Sequence, residues 1–171
     1  MASQIYSHKC GFNASYPISR ANNGQVGYSL NDFVSAYGAP EHLTYDDTAV
    51  QLGQHTNLQK SIRKYEIKTH VSAPRRPNEN PVEGAIRGIK NGWYRIQTKL
   101  HVPYRLWNYG ITYVCETGNL IVYSSRYSNG SSPLEIVTGE TPNISEYLDF
   151  GFYDWITYRT NAGIGYPEIG R

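Results

Sequence analysis

The strongest hydrophobic pattern in the chain predicts a long helix that begins near Val82. Apolar residues recur there at spacings of three and four, which places them on one side of a helix. They are Val82, Ile86, Ile89, Trp93, Ile96 and Leu100. Polar residues repeat the spacing one position later. Glu83, Arg87 and Lys90 are therefore expected to share a face that borders the core without entering it.

The start of this helix has its own signals. Asn80 suits an N-cap and Pro81 suits the first helical position, after a loop that is too rich in proline for regular structure. The helix also contains glycines on a further side, at Gly84, Gly88 and Gly92. They indicate either the close approach of another backbone or a weakened helix.

Patterns before this helix predict alternating strands and helices. One strand ends at Ser7, a second covers residues 12–18, and residues 20–27 have the composition of a loop. Apolar residues at helical spacing then predict a helix that stops at Gly38.

A strand, a helix and a second strand are predicted next. The first strand covers residues 42–45 and ends at Asp46. Residues 67–71 alternate between apolar and polar, which predicts the second strand. Leu58, Ile62 and Tyr65 define the helix between them. Two strands joined in this way in one sheet run parallel. Sites in such sheets lie at the carboxyl ends of strands, where Asp46 is placed.

The last third of the chain predicts one helix and then an irregular extension. A helix opened by Val102 and Pro103 is apolar on most sides as far as Gly118, so we expect it to be largely buried. The linker-like stretch from residue 123 to residue 133 is rich in serine, asparagine and glycine, and the tail shows no obvious final element. The prediction is a domain at residues 1–120 and a linker with a C-terminal extension at 121–171.

Composition narrows the classes of function only slightly. With 171 residues, 39% of them hydrophobic and 18% charged, a packed core is feasible. A net charge of +2 permits a nucleic-acid partner without arguing for one. No apolar run approaches the ~20 residues that span a bilayer. Cys10 and Cys115 form no metal or redox motif, and the scattered histidines make a zinc site an unfavoured hypothesis. We expect no membrane partner and an intracellular location.

The acidic residues suggest metal-assisted chemistry on a phosphodiester. Asp46 at a strand end and Glu83 at a helix start could hold Mg²⁺, which is commonly bound by one or two carboxylates with water and phosphate oxygens. Such ions activate the attacking oxygen and stabilise the leaving one in phosphoryl transfer. Arg87 and Lys90 would then contact backbone phosphates.

Structural alternatives remain open for each of these residues. Glu83 lies three positions after Asn80, which fits a capping box. Asp46 could begin an Asx-type turn with Asp47. Arg87 could form an ion pair with Glu83 across one helical turn, or Arg87 and Lys90 could simply form a solvated face.

Several short motifs occur in a fixed order along most of the chain. They are Gly38-Ala39-Pro40, Leu43-Thr44-Tyr45-Asp46, Ser72-Ala73-Pro74, Asn78-Glu79-Asn80-Pro81-Val82-Glu83, the basic residues Arg87 and Lys90, Leu106-Trp107, and residues 132–142. In this order they resemble the catalytic core of retroviral and retrotransposon integrases, especially the copia-type branch.

The resemblance implies a fold, a reaction and partners. It implies an α/β, ribonuclease H-like fold with a mixed sheet flanked by helices. It also implies integration of DNA by Mg²⁺-dependent phosphodiester transfer, with Mn²⁺ as a substitute ion and no small-molecule cofactor. Asp46 and Glu83 would be the catalytic metal ligands, and Arg87 and Lys90 the DNA contacts. A homo-oligomer and a nuclear location are further expectations.

The family's D,D-35-E spacing bears on the choice between two aspartates. Thirty-five residues separate Asp47 from Glu83, and 36 separate Asp46 from Glu83. The surrounding pattern, a leucine followed by two residues and an aspartate, favours Asp46. Asp47 remains the alternative, and its presence departs from the glycine or asparagine that usually follows in the family.

One expected residue has no match in this sequence. The family uses a further aspartate on the first strand of its sheet, whereas Asp32 and Glu41 are the acids before Asp46. We therefore expect an N-terminally truncated fragment that lacks the first strand and is inactive or nearly so alone. The alternative is a non-catalytic DNA-binding or assembly module that retains the fold.

Overall fold

The structure is a computed structural model that describes six stretches of the chain. These are residues 2–19, 22–46, 56–72, 81–122, 129–158 and 168–170. Helices and strands alternate along them. In order they are β1 (Ala2–Tyr6), β2 (Asn13–Pro17), α1 (Asn23–Tyr37), β3 (His42–Asp46), α2 (Asn57–Lys64), β4 (Lys68–Ser72), α3 (Val82–Leu100), α4 (Trp107–Leu120), α5 (Pro133–Thr138), α6 (Ser145–Asp149), β5 (Ile156–Tyr158) and β6 (Glu168–Gly170).

Most predicted elements are confirmed within a few residues, and one predicted loop is partly wrong. Helix α1 begins at Asn23, inside the stretch 20–27 that its composition assigned to a loop. The reason is an N-cap, because the side chain of Asn22 accepts a hydrogen bond of 2.9 Å from the backbone N–H of Gln25. Helix α1 then runs to Gly38, the predicted stop, where the backbone φ is +88°.

The strands pair two by two. β1 and β2 form an antiparallel hairpin, and β3 and β4 are parallel, with Asp46 opposite Ser72 at their carboxyl ends. The predicted parallel strand–helix–strand unit is therefore confirmed. The predicted mixed sheet is present as separate two-stranded pieces in the described residues. β5 and β6 form a further antiparallel pair, so the prediction of a tail without a final element was wrong.

Helix α1 packs against both of the first two sheets. Leu30 belongs to a buried cluster formed with β3, α2 and the start of β4; its other buried members are Tyr45, Leu58, Ile62 and Ile67. Phe33 belongs to a second cluster with Phe12 and Ala14 of the hairpin. Both clusters therefore depend on the placement of one helix.

Helices α3 and α4 approach each other most closely at Gly110. A Cβ atom built at Gly110 would overlap ring carbons of Trp93, which is 6% exposed. At Gly92 a Cβ would lie 2.9 Å from Val114 Cγ1. These contacts set the rotation of α3 about its axis, and hence which residues of α3 face solvent.

The glycines of α3 divide between the two predicted explanations. Gly92 makes the close approach to α4, whereas a Cβ at Gly84 or Gly88 would meet no atom within 4 Å. Gly84 and Gly88 instead line a groove between α3, the turn after β1, and α4. Close approach explains one of the three residues, and the other two weaken the helix without a packing reason.

Helix α4 is less buried than predicted. It begins at Trp107, after a short 3-10 turn, and its buried residues are Gly110, Cys115 and Asn119, whereas Tyr109 is 64% exposed. Only one side of α4 packs on α3 and β2. On that side Asn119 anchors β2, donating to Asn13 O at 2.7 Å and accepting from Asn13 N–H at 2.8 Å.

Residues after 121 also contact this core. Helix α5 has a capping box formed by Ser132 and Glu135, and Leu134 packs against the Phe12 cluster. The ring of Phe152 lies 6.0 Å from Trp93 and 5.2 Å from Tyr113, centroid to centroid. The division at residue 120 stays a prediction. None of the described helices is long and apolar enough to cross a bilayer.

Candidate metal and nucleic-acid site

The predicted two-sided character of α3 is confirmed by burial. Ile89 and Trp93 are 7% and 6% exposed on the side that packs against the core. Glu83, Arg87 and Lys90 are all exposed. The helix therefore places one carboxylate and two basic groups on a single solvent-facing surface, within about 10 Å along its axis.

The start of α3 differs slightly from the prediction. Pro81 occupies the N-cap position with φ −62° and ψ −15°, one residue before the position predicted for it, and no side chain caps the helix. Asn80, the predicted N-cap, lies outside the described residues. Glu83 is the acidic residue of the first turn, where the partial positive charge of the helix start favours a carboxylate.

The ion pair between Glu83 and Arg87, one of the structural alternatives for these residues, is not formed in the described part of the chain. The ion pairs among the described residues join Glu41 to His42 and to Lys68, and neither involves α3. In the described part of the chain the Glu83 carboxylate is therefore not held by Arg87.

Asp46 is placed at the carboxyl end of the parallel pair. It is the last residue of β3 and lies opposite Ser72, the last residue of β4. Ser72 is 5% exposed, and its buried hydroxyl oxygen has no hydrogen-bond partner among the described residues. Sequence reasoning did not single out Ser72, because its register opposite Asp46 follows only from the strand pairing.

The structure assembles part of the predicted site. It brings Glu83, Arg87 and Lys90 together, while the backbone of Asp46 is described without its side chain. Asp47, the alternative ligand, lies outside the described residues, as does the predicted Asx-type turn. The roles of Asp46, Glu83, Arg87 and Lys90 remain predictions.

The donor types fit a hard divalent cation. Mg²⁺ prefers carboxylate oxygens at one or two positions and keeps several waters, so Asp46 and Glu83 are a sufficient protein contribution. Among the described side chains, no group of three or more His, Cys, Asp or Glu residues is placed to hold a metal ion.

Two large pKa shifts among the described residues occur away from these groups, where β2 meets α4. Burial raises the pKa of Tyr16 from 10.0 to about 12, with smaller contributions from the neighbouring charges of Tyr37 and Asp32. Burial raises the pKa of the Cys115 thiol from 9.0 to about 11. At neutral pH Cys115 is therefore a protonated, weakly nucleophilic thiol, which favours a packing role over a catalytic one.

These shifts predict a loss of stability in alkali. Both pKa values are higher in the folded state, so the unfolded chain releases its protons first, and stability falls as pH rises from about 9 to about 12. Urea unfolding midpoints measured from pH 8 to pH 11 are expected to fall steadily. Tyr16→Phe should flatten the decline above pH 10.

Tyr28→Phe is the matched control, because Tyr28 is 63% exposed. That substitution should leave the pH dependence as it is in the unmodified chain. Equal slopes for the unmodified chain and Tyr16→Phe between pH 10 and pH 11 would contradict the assignment.

Comparison with solved structures finds retroviral integrase cores. The HTLV-2 integrase catalytic core domain, solved with magnesium in a trimeric form, has a TM-score of 0.59 and 16% identity over 80% of this chain and 92% of that one. The catalytic core of BIV integrase has a TM-score of 0.56 and 15% identity, over 81% and 91% of the two chains.

A larger assembly also matches. A chain of the simian T-cell lymphotropic virus intasome has a TM-score of 0.62 and 13% identity, covering 99% of this chain and 66% of that one. No protein-family model matches the sequence, and no curated protein emerged as a significant match. The predicted fold class is confirmed: the chain has the α/β, ribonuclease H-like fold of retroviral integrase catalytic cores.

Proposed function

We propose that the chain is an integrase catalytic-core domain of the copia type that binds DNA through α3. The observation behind this proposal is the joint exposure of Glu83, Arg87 and Lys90 on one face of α3, within the fold of integrase cores. The ancestral reaction is attack of water, and then of a DNA 3′-hydroxyl, on a phosphodiester. Because DNA is the proposed partner, the proposed site of action is the nucleus.

The proposed site contains metal-binding residues and phosphate-binding residues. Asp46 and Glu83 would hold Mg²⁺, or Mn²⁺ in its place, and the bound ion would supply charge stabilisation to the phosphoryl group. The HTLV-2 core was solved with magnesium, which supports this choice of ion. Arg87 and Lys90 bind the phosphates on either side of the reacting bond and orient them, because both follow Glu83 on the same face.

The isolated chain is proposed to bind DNA with little or no catalysis. Two metal ions would need more carboxylate ligands than Asp46 and Glu83, the two that the proposed set supplies. Loss of a single catalytic group typically lowers kcat by about 10²–10³-fold. Assembly with further copies on DNA is part of the proposal, since integrase neighbours include dimeric and trimeric forms and an intasome.

A second candidate is a non-catalytic DNA-binding or assembly module with the same fold. The exposed tyrosines of the described surface, among them Tyr94 and Tyr109, suit contacts with a partner and favour it. The two candidates differ in their response to Mg²⁺. If the chain descends from a catalytic core, Mg²⁺ bound at Glu83 should change its affinity for DNA. If the chain is only a binding module, Mg²⁺ should leave that affinity unchanged.

A salt titration tests the DNA contacts. The affinity for a 20-base-pair duplex, measured by fluorescence anisotropy, is expected to fall steeply with salt because binding phosphates releases counterions. Arg87→Ala and Lys90→Ala should each reduce the slope of log K against log salt by about 0.9. Both variants should weaken binding to unrelated duplex sequences to the same degree.

Arg63→Ala provides the control, because Arg63 is an exposed basic residue on α2. It should leave the slope unchanged. If all three substitutions reduced the slope equally, binding would reflect total charge, and α3 would lose its assigned role. If the unmodified chain bound no duplex at low salt, the proposed function itself would be wrong.

A further inference from the structure

The exposed face of α3 continues beyond Lys90 to an aromatic residue. Tyr94 is 67% exposed and lies one helical turn after Lys90, about 6 Å further along the axis. At about 100° per residue, Arg87 and Lys90 lie within about 60° of each other, and Tyr94 falls between them in angle. The ring therefore stands at the centre of the proposed DNA-binding face.

The surroundings of Tyr94 are polar and basic. Asn91 and Thr98 are exposed next to it, and Arg95 is exposed at the border of the same face. Helix α3 contains four basic residues and one acidic residue, a net charge of +3, while the whole chain has +2. The positive charge of the protein is thus concentrated on the helix that presents Tyr94.

The ring of Tyr94 has no role in the packing of the described protein. The ring contacts of α3 in the described residues are made by Trp93, about 100° around the helix from Tyr94, with Phe152. An exposed ring between cations matches the arrangement that binds single-stranded nucleic acid, in which cations follow the backbone and a base stacks on the aromatic face. Inside a duplex both faces of each base are covered by the neighbouring base pairs, so an unpaired nucleotide is the better partner for this ring.

We propose that Tyr94 is a stacking residue for an unpaired base, and that α3 therefore prefers DNA with a single-stranded or frayed end over a continuous duplex. This inference rests on the proposed function, since it requires that α3 binds DNA. It adds a preference for one form of DNA, which Arg87 and Lys90 cannot provide because phosphates are common to both forms.

The test compares two DNA ligands that differ in one feature. One is a blunt 20-base-pair duplex, and the other is the same duplex with a five-nucleotide 3′ extension containing 2-aminopurine. The full chain is expected to bind the extended ligand about tenfold more tightly, which lies toward the lower end of the range for one base stacked on an aromatic ring. Binding should also change the fluorescence of 2-aminopurine, which responds to stacking.

Three variants separate stacking from other effects. Tyr94→Ala should remove the tenfold preference and the fluorescence change while altering blunt-duplex affinity less than twofold. Tyr94→Phe should retain both, because the ring suffices for stacking. Tyr28→Ala removes a tyrosine of similar exposure, 63%, from α1 and should behave like the unmodified chain.

Each remaining outcome overturns the inference in a recognisable way. Equal binding to both ligands, or a preference that survives Tyr94→Ala, would remove the stacking role while leaving DNA binding intact. No binding to either ligand would remove the proposed function together with it. If Tyr94→Ala weakened binding to vesicles of anionic lipid more than it weakened binding to the extended DNA, the surface would be reassigned to membrane binding.

Discussion

Replacing Gly110 with alanine is expected to destabilise the protein strongly, because the added methyl group meets the buried ring of Trp93. The new Cβ would overlap carbons of the Trp93 ring and lie 2.7 Å from a third, Cη2. Trp93 is 6% exposed and packs against Phe152, so the ring has little room to move. Forced overpacking of this kind costs about 1–3 kcal/mol and sometimes more. We expect the upper end, measured by urea denaturation.

Two further variants make the Gly110 result specific. Gly88→Ala adds the same methyl group on α3, where no atom lies within 4 Å, and should stabilise the fold by up to about 1 kcal/mol through helix propensity. Combining Gly110→Ala with Trp93→Leu should destabilise less than the two separate effects added together, because the smaller side chain vacates the space. Equal stability of Gly110→Ala and Gly88→Ala would show that α3 and α4 are not in contact at Gly110.

Replacing Glu83 with glutamine is expected to weaken binding of Mn²⁺ at least tenfold, as for the loss of groups that support metal ligands. The glutamine keeps the size of the side chain and removes its charge. Electron paramagnetic resonance of free Mn²⁺ gives the affinity directly. Without metal, Glu83→Gln should also raise DNA affinity a few-fold, since it removes a negative charge from the exposed face beside Arg87 and Lys90.

Glu140→Gln is the control for the Glu83 experiment, because Glu140 is exposed outside α3. It should change neither Mn²⁺ binding nor DNA binding. In 5 mM Mg²⁺ the DNA-binding advantage of Glu83→Gln should shrink, because the ion neutralises the carboxylate of the unmodified chain. Unchanged Mn²⁺ affinity in Glu83→Gln would rule out this residue as a ligand and favour the non-catalytic module.

Sequence patterns predicted several elements. The apolar spacing from Val82 onward predicted both faces of α3, and the alternation near Thr69 predicted β4, although residues 68–71 are exposed in the structure. The parallel pairing of β3 with β4 followed from the helix between them. The motif order then gave the fold class, which the likeness to integrase cores confirms.

Features that depend on distant contacts were not predictable from local patterns. Helix α4 is apolar on most sides, yet only one side packs against other elements of the fold, so Tyr109 remains exposed. Likewise, the local sequence does not distinguish Gly92 from Gly88. Only Gly92 lies next to Val114, so only Gly92 makes a close contact between α3 and α4. The position of Ser72 opposite Asp46 depends on the register of two strands 26 residues apart in sequence.

The position of α1 between two small sheets has a consequence for how the protein opens. Leu30 and Phe33 lie less than one turn apart on α1 and belong to different buried clusters. An isolated two-stranded sheet is marginally stable in water, so each sheet depends on the apolar surface that α1 supplies. Melting of α1 exposes both clusters at once. The strand end at Asp46 and the amino-terminal hairpin therefore belong to one cooperative unit. Local unfolding of one is expected to destabilise the other.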